Sequence, residues 1–196
     1  MTPALEAAYA ETHRRYHSRA HIEACLALLA EVDGLSEPDR RLVEYAIWWH
    51  DAVYDPTRGD NEAVSAEMAQ RDLAALGEPA SISAEVARLI LLTKGHAVSS
   101  GDRLGALLVS IDLAVLGGDP EAYDAYAAGV RTEYAFVPEP AFRAGRTRVM
   151  QTFLDAEAIY PDPAFRARLE TRARANITRE IAELAEAALR QGDRSR

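Results

Sequence analysis

Apolar residues recur at intervals of three and four along almost the whole chain, and the strict alternation that marks a half-buried strand is missing. Ala, Leu, Glu and Arg fill most of the remaining positions, and β-branched runs are scarce. The pattern predicts an all-α fold. Its punctuation divides the chain into segments, with a first helix over about 3–16 and a second over about 18–32 that ends at Gly34. Pro38, near a first turn where its missing N–H costs nothing, opens a third helix running to about residue 51. Asp60 or Asn61 caps a fourth, closed by Gly77, and Ser81 or Ser83 caps a fifth that ends at Gly95. A sixth holds RLGALLVSIDLAVL and stops at Gly117 and Gly118. Later helices start near Asp119 and Pro138, and a long charged one spans 163–189 ahead of a frayed tail, 190–196.

Composition narrows the class. A length of 196 residues with a 48% hydrophobic share predicts one domain, 1–196, around one core, and no repeat or low-complexity linker interrupts it. The 22 Lys and Arg residues against 31 Asp and Glu leave a net charge of -9, which repels a nucleic-acid polymer. Cys25 is the only cysteine, so no internal disulfide forms. The opening MTPALEAAYAETHRRYHS carries no basic-then-apolar signal pattern, and no apolar run reaches the length of a membrane span. The expectation is a cytoplasmic protein without membrane contact.

Three predicted helices each turn an ionisable group toward the core. Val43, Ile47 and His50 share one stripe with Ala46 beside it, and Asp51 follows Ile47 by four residues, so WWHD points a His-Asp pair inward at a helix C-terminus. The negative end of the helix dipole favours a cation there. Taken alone, His50 reads as a core histidine bonded to a nearby carbonyl. Asp112, however, lies in the middle of the apolar side formed by Leu104, Leu107, Leu108, Ile111, Val115 and Leu116. A buried unpaired carboxylate costs roughly several kcal/mol, so it is protonated, paired or metal-bound. Capping of a neighbouring helix is the plainer alternative. His21 stands four residues before Cys25 on a stripe with Leu28, Leu29 and Val32. Two imidazoles and two carboxylates form a mixed N and O donor set suited to Fe, Mn, Mg or Zn. A rival set, His13, His17, His21 and Cys25, repeats every four residues. One straight helix offers an ion two such side chains, not four, and Ser18 reads as a cap, so His13 is expected at the surface.

These residues resemble the HD-domain superfamily of metal-dependent phosphohydrolases, whose signature is a His, an adjacent His-Asp and a distant Asp. Within it, RYHSRAHI, WWHDAVYDP, DNEAVSAE, LLTKGH, SIDLAVLG, VRTEYAFVP and RARANITRE look like one uncharacterised bacterial family, over about 16–180. The resemblance implies a helical bundle with one divalent ion held between helices by His21, His50, Asp51 and Asp112. It also implies Asp51 and Glu62 as catalytic groups, and His17, Lys94 and His96 as substrate-binding groups. The chain departs from many relatives at Ser18, where Asn is expected, and at Gly95, where a second His is frequent; both bear on a second ion rather than the first.

The activity so implied is hydrolysis of a nucleotide or other small phosphoester by water that the ion activates. Two other classes stay open: a non-catalytic module that binds a nucleotide or metal, and a di-iron oxygenase of the same fold. The expected partner is a small phosphoester, and a homodimer is compatible with the sequence. Arg131, Glu133, Tyr134, Arg174, Asn176 and Glu180 read as packing and ion pairing among the last helices, and Trp48 and Trp49 as core.

Overall fold

The computed structural model describes residues 2–194, with side chains through 189. Among those residues it contains nine α-helices, one 3-10 helix and no strand, as the apolar spacing predicts. Residue contacts gather into two compact units, Met1–Asp112 and Leu113–Arg196.

The first unit comprises α1 (Pro3–Tyr9), α2 (Arg19–Ala30), α3 (Glu37–Trp49), α4 (Asn61–Ala75), α5 (Ala80–Leu92) and α6 (Arg103–Asp112). α3 packs on α2, α4, α5 and α6. Its stripe of Val43, Ala46 and Ile47 is fully buried, as are Ile22 of α2, Leu73 of α4, Val86 and Ile90 of α5 and Leu108 of α6. Burying each large aliphatic side chain contributes about 1.5–3 kcal/mol. Ser36 caps α3 by accepting from Asp39 N–H, and Trp49 is core, its indole N–H donating to Asp72.

Three boundaries differ from the sequence reading. α1 stops at Tyr9 instead of running to 16, and 10–18 is a chain of turns. Those residues hold no aliphatic side chain larger than alanine, so a helix there would bury little. His13 and His17 therefore lie in a loop. α5 starts behind Pro79 and ends at Leu92; Ser83 sits one turn in and donates to Ala80 O instead of capping. The predicted sixth helix stops at Asp112 and the chain tightens into a 3-10 helix, Leu113–Gly117.

The second unit holds that 3-10 helix with α7 (Pro120–Glu133), α8 (Glu139–Asp155) and α9 (Pro163–Arg194). α9 packs on α8 and on the 3-10 helix. Asn176 donates to the carbonyls of Leu116 and Gly118, each at 3.0 Å, and Tyr160 Oη to that of Leu113 at 3.2 Å. Arg146 and Glu180 form a buried ion pair that Tyr123 joins. Arg131 ties the end of α7 to Glu139 in the first turn of α8, and Arg174 pairs with Glu170, so these charges serve packing. α9 reaches Arg194, past the frayed tail expected from 190; residues 195–196 lie outside the described ones. No described helix is long and apolar enough to cross a membrane.

A Cβ at Gly117 would stand 2.6 Å from Leu169 Cβ, 2.9 Å from Tyr160 Oη and 3.0 Å from the Leu169 carbonyl oxygen. Two of these belong to packed backbone or a Cβ and have little room to yield. Gly117→Ala is expected to destabilise the protein by about 1–3 kcal/mol. Gly145→Ala, with nothing within 4 Å of its Cβ, is expected to be neutral or slightly stabilising. Thermal unfolding followed by circular dichroism compares the two.

Candidate metal centre

α2, α3 and α6 pack against one another, and each delivers a part of the site. His21 lies in the first turn of α2, His50 is the C-cap of α3, Asp51 follows it, and Asp112 is the last residue of α6. The apolar stripes that predicted inward-facing groups do bring these four together. The His50 ring is 2% exposed, and the Asp51 and Asp112 carboxylates keep 18% and 16% exposure, so the site reaches solvent through its acids.

The geometry is that of ring nitrogens facing carboxylate oxygens. His21 Nε2 lies 3.2 Å from His50 Nε2 and 3.1 Å from Asp112 Oδ1. His50 Nε2 lies 3.2 Å from Asp51 Oδ2 and 3.5 Å from Asp112 Oδ1. Asp51 Oδ2 stands 3.8 Å from His21 Nε2. His21, His50 and Asp51 offer donor atoms that all lie within 4.8 Å of one another; Asp112 is outside that trio but close to both rings.

The tautomer of His50 follows from its other nitrogen. Nδ1 is 2.8 Å from the Ile47 carbonyl, which only accepts, so Nδ1 carries the hydrogen and Nε2 of the neutral ring presents a lone pair. Two ring nitrogens and two carboxylates then meet around one point, where either a proton on the rings or a metal ion would balance the negative charge. Ligands about 2.1 Å from an ion and 90–110° apart stand roughly 3.0–3.4 Å from each other, which most of these separations match. The donor set therefore fits a divalent ion.

With no ion present, electrostatics favour a charged His50 between two ionised carboxylates. Burial opposes charge on His50, yet the Asp51 charge and hydrogen bonds to Asp112 and Asp51 hold its pKa well above the usual imidazole range. Burial likewise works against ionised Asp51 and Asp112. The His50 charge prevails for Asp51, and hydrogen bonds from His21, His50 and His96 for Asp112, so both stay below the usual carboxylate range. Cys25 Sγ lies 3.7 Å from His21 Nε2, and burial, the leading cause, pushes the thiol far up, so it packs as a neutral group.

The remaining predicted site residues divide. His96 is at the site, with Nε2 3.5 Å from Asp112 Oδ2. Its φ of 53° lies in the left-handed region, where a non-glycine residue costs about 1 kcal/mol or more. His17 forms the rim: its ring stacks on Tyr54 with centroids 4.1 Å apart and meets His21 edge-on at 6.4 Å. Lys94 points elsewhere, its Nζ bonded to the Gly59 carbonyl at 2.7 Å. Glu62 is half-buried in the first turn of α4, and no hydrogen bond or ion pair joins it to the four central residues. His13 is exposed and meets the Tyr54 carbonyl, so the line of four from His13 to Cys25 does not form.

The sequence reading missed Arg14. This buried residue reaches the carbonyls of His17, Asp51 and Ala52. An unmatched arginine in the polar run ETHRRYHS offers no apolar spacing to flag it. The chain matches no family model, no curated protein and no solved structure.

Because the core is aliphatic, the fold is expected to persist without an ion, and binding to stabilise it by mass action. Chelation with EDTA should lower the melting temperature while helical circular dichroism at room temperature persists. Collapse of the helical signal on chelation would contradict this.

Proposed function

We propose that the chain is a metal-dependent phosphohydrolase acting on a nucleotide or another small phosphoester. The observation that carries the reading is the convergence of His21 Nε2, His50 Nε2, Asp51 Oδ2 and Asp112 Oδ1 at separations suited to one divalent ion. Such an ion, when bound, supplies two things at once, acidified water as nucleophile and a Lewis acid for a phosphoryl oxygen.

The residues around it fit an anionic substrate. Two carboxylates balance a divalent charge, and the groups beyond them, His17 and His96, are neutral or cationic. Asp51, held ionised mainly by His50, orients water and accepts its proton. Asp112 divides its oxygens, Oδ1 toward the two rings and Oδ2 toward His96. His96 Nε2 can thus hold a proton against Asp112 and release it to a leaving oxygen. His17 borders Asp51 and His21 from a fixed stack on Tyr54 and is placed to bond a phosphate oxygen. Lys94, engaged on Gly59, serves the loop first, and Glu62 keeps at most an indirect part.

Elemental analysis of purified protein, then a phosphatase screen over nucleotides and phosphomonoesters with several divalent metals, tests the reading. Two irons and dioxygen uptake would favour the oxygenase instead. Asp51→Asn keeps shape and removes charge, so it is expected to cut turnover at saturating metal by orders of magnitude with the helices retained. Turnover near the parental rate would show that Asp51 only orients His50.

A further inference from the structure

Arg14 belongs to neither the apolar core nor the proposed ligand set, yet its side chain is 1% exposed. Its Nη1 donates to the His17 carbonyl at 3.1 Å and the Asp51 carbonyl at 2.7 Å, and its Nη2 to the Ala52 carbonyl at 3.1 Å. Nε donates to Glu11 at 2.9 Å. Cζ lies 5.3 Å from the Tyr9 ring centroid and 5.5 Å from that of Tyr54. The carbonyls of Asp51 and Ala52 follow the end of α3, where helical backbone acceptors run out of partners and the dipole is negative. One rigid fork of donors therefore joins the α1–α2 loop to the turn that carries Asp51, at a point where neither segment has a helix to hold it.

From this geometry we infer that Arg14 is a positioning residue of the metal centre, setting the backbone of Asp51 and of His17 so that the Asp51 carboxylate faces His50. The inference rests on the metal-dependent reading above. Any buried guanidinium needs several acceptors for its five N–H donors, so the number of bonds matters less than where the acceptors come from. Here three carbonyls from two segments are gathered, two of them from residues whose side chains face the site. Lysine retains the charge but lacks the planar fork, so it cannot span all three carbonyls. The guanidinium acts through Asp51 and touches none of the donor atoms facing the ion.

The test compares the full chain, Arg14→Lys, Asp51→Asn and the double variant. Mn2+ affinity is measured calorimetrically at 10 °C, with trimethylamine N-oxide present throughout to hold each variant folded. Loss of an outer partner of a metal ligand typically weakens affinity by about 10–100-fold. Arg14→Lys is expected to weaken Mn2+ binding at least about tenfold at parental helix content, and to add little to Asp51→Asn, because both act on one carboxylate. Undiminished affinity, additive losses in the double variant, or loss of helix under these conditions would each overturn the inference. Failure of the parent itself to bind Mn2+ would count against the metal reading alone. Arg14 is then decided by the crystal structure of Arg14→Lys: Asp51 Oδ2 is expected to leave its 3.2 Å separation from His50 Nε2, and an unchanged separation would overturn the inference.

Discussion

Two imidazole nitrogens 3.2 Å apart, with a carboxylate on each, set the demand that the first unit answers. Lone pairs and negative charges brought that close repel unless a cation lies among them. Ile47 fixes one ring by taking its Nδ1 hydrogen, so the second nitrogen of His50 is free to serve as an acceptor. A proton on His50 and a metal ion among the four groups would each meet that demand. The arrangement costs desolvation of His50 and much of His21, and contacts with Asp51, Asp112 and the Ile47 carbonyl offset that cost.

The same demand explains where the helices end. Asp112 closes α6 and Asp51 follows His50, the cap of α3, so both acids stand where an α-helix ends. α2 enters from a loop, with His21 three residues after the Ser18 cap position. A helix end has unpartnered backbone groups, and Arg14 meets those of the α3 end with one side chain. Rigid aliphatic packing among α2, α3 and α6 fixes the axes of the three helices; polar contacts at their ends fix the side chains. His96, beside Asp112, is the one non-glycine residue at positive φ among the described residues, and it faces the same cluster.

Much of this was legible in the sequence because helical periodicity is a strong signal for both fold and facing. The stripes of Val43 and Ile47, of Cys25 and Leu29, and of Leu108 and Ile111 predicted which ionisable groups turn inward, and His21, His50 and Asp112 do so. Periodicity is silent where a segment buries nothing by itself. It extended α1 to about residue 16, into the turns at 10–18, and it could not see Arg14, whose burial depends on carbonyls 37 and 38 residues away. It also ran α6 through to Gly117, because Leu113, Val115 and Leu116 continue the apolar pattern while the backbone tightens into a 3-10 helix. Lys94 was legible as a cation near a helix end, but its partner, the Gly59 carbonyl, lies 35 residues earlier in a loop without pattern.

The most direct test of the account is anomalous diffraction from crystals grown with Mn2+. The account predicts one strong peak within coordinating distance of His21 Nε2, His50 Nε2 and both the Asp51 and Asp112 carboxylates, about 2.0–2.3 Å from each. Crystals in which that point holds no anomalous signal, while the two ring nitrogens keep their 3.2 Å contact, would contradict it and return the cluster to a proton shared among buried groups.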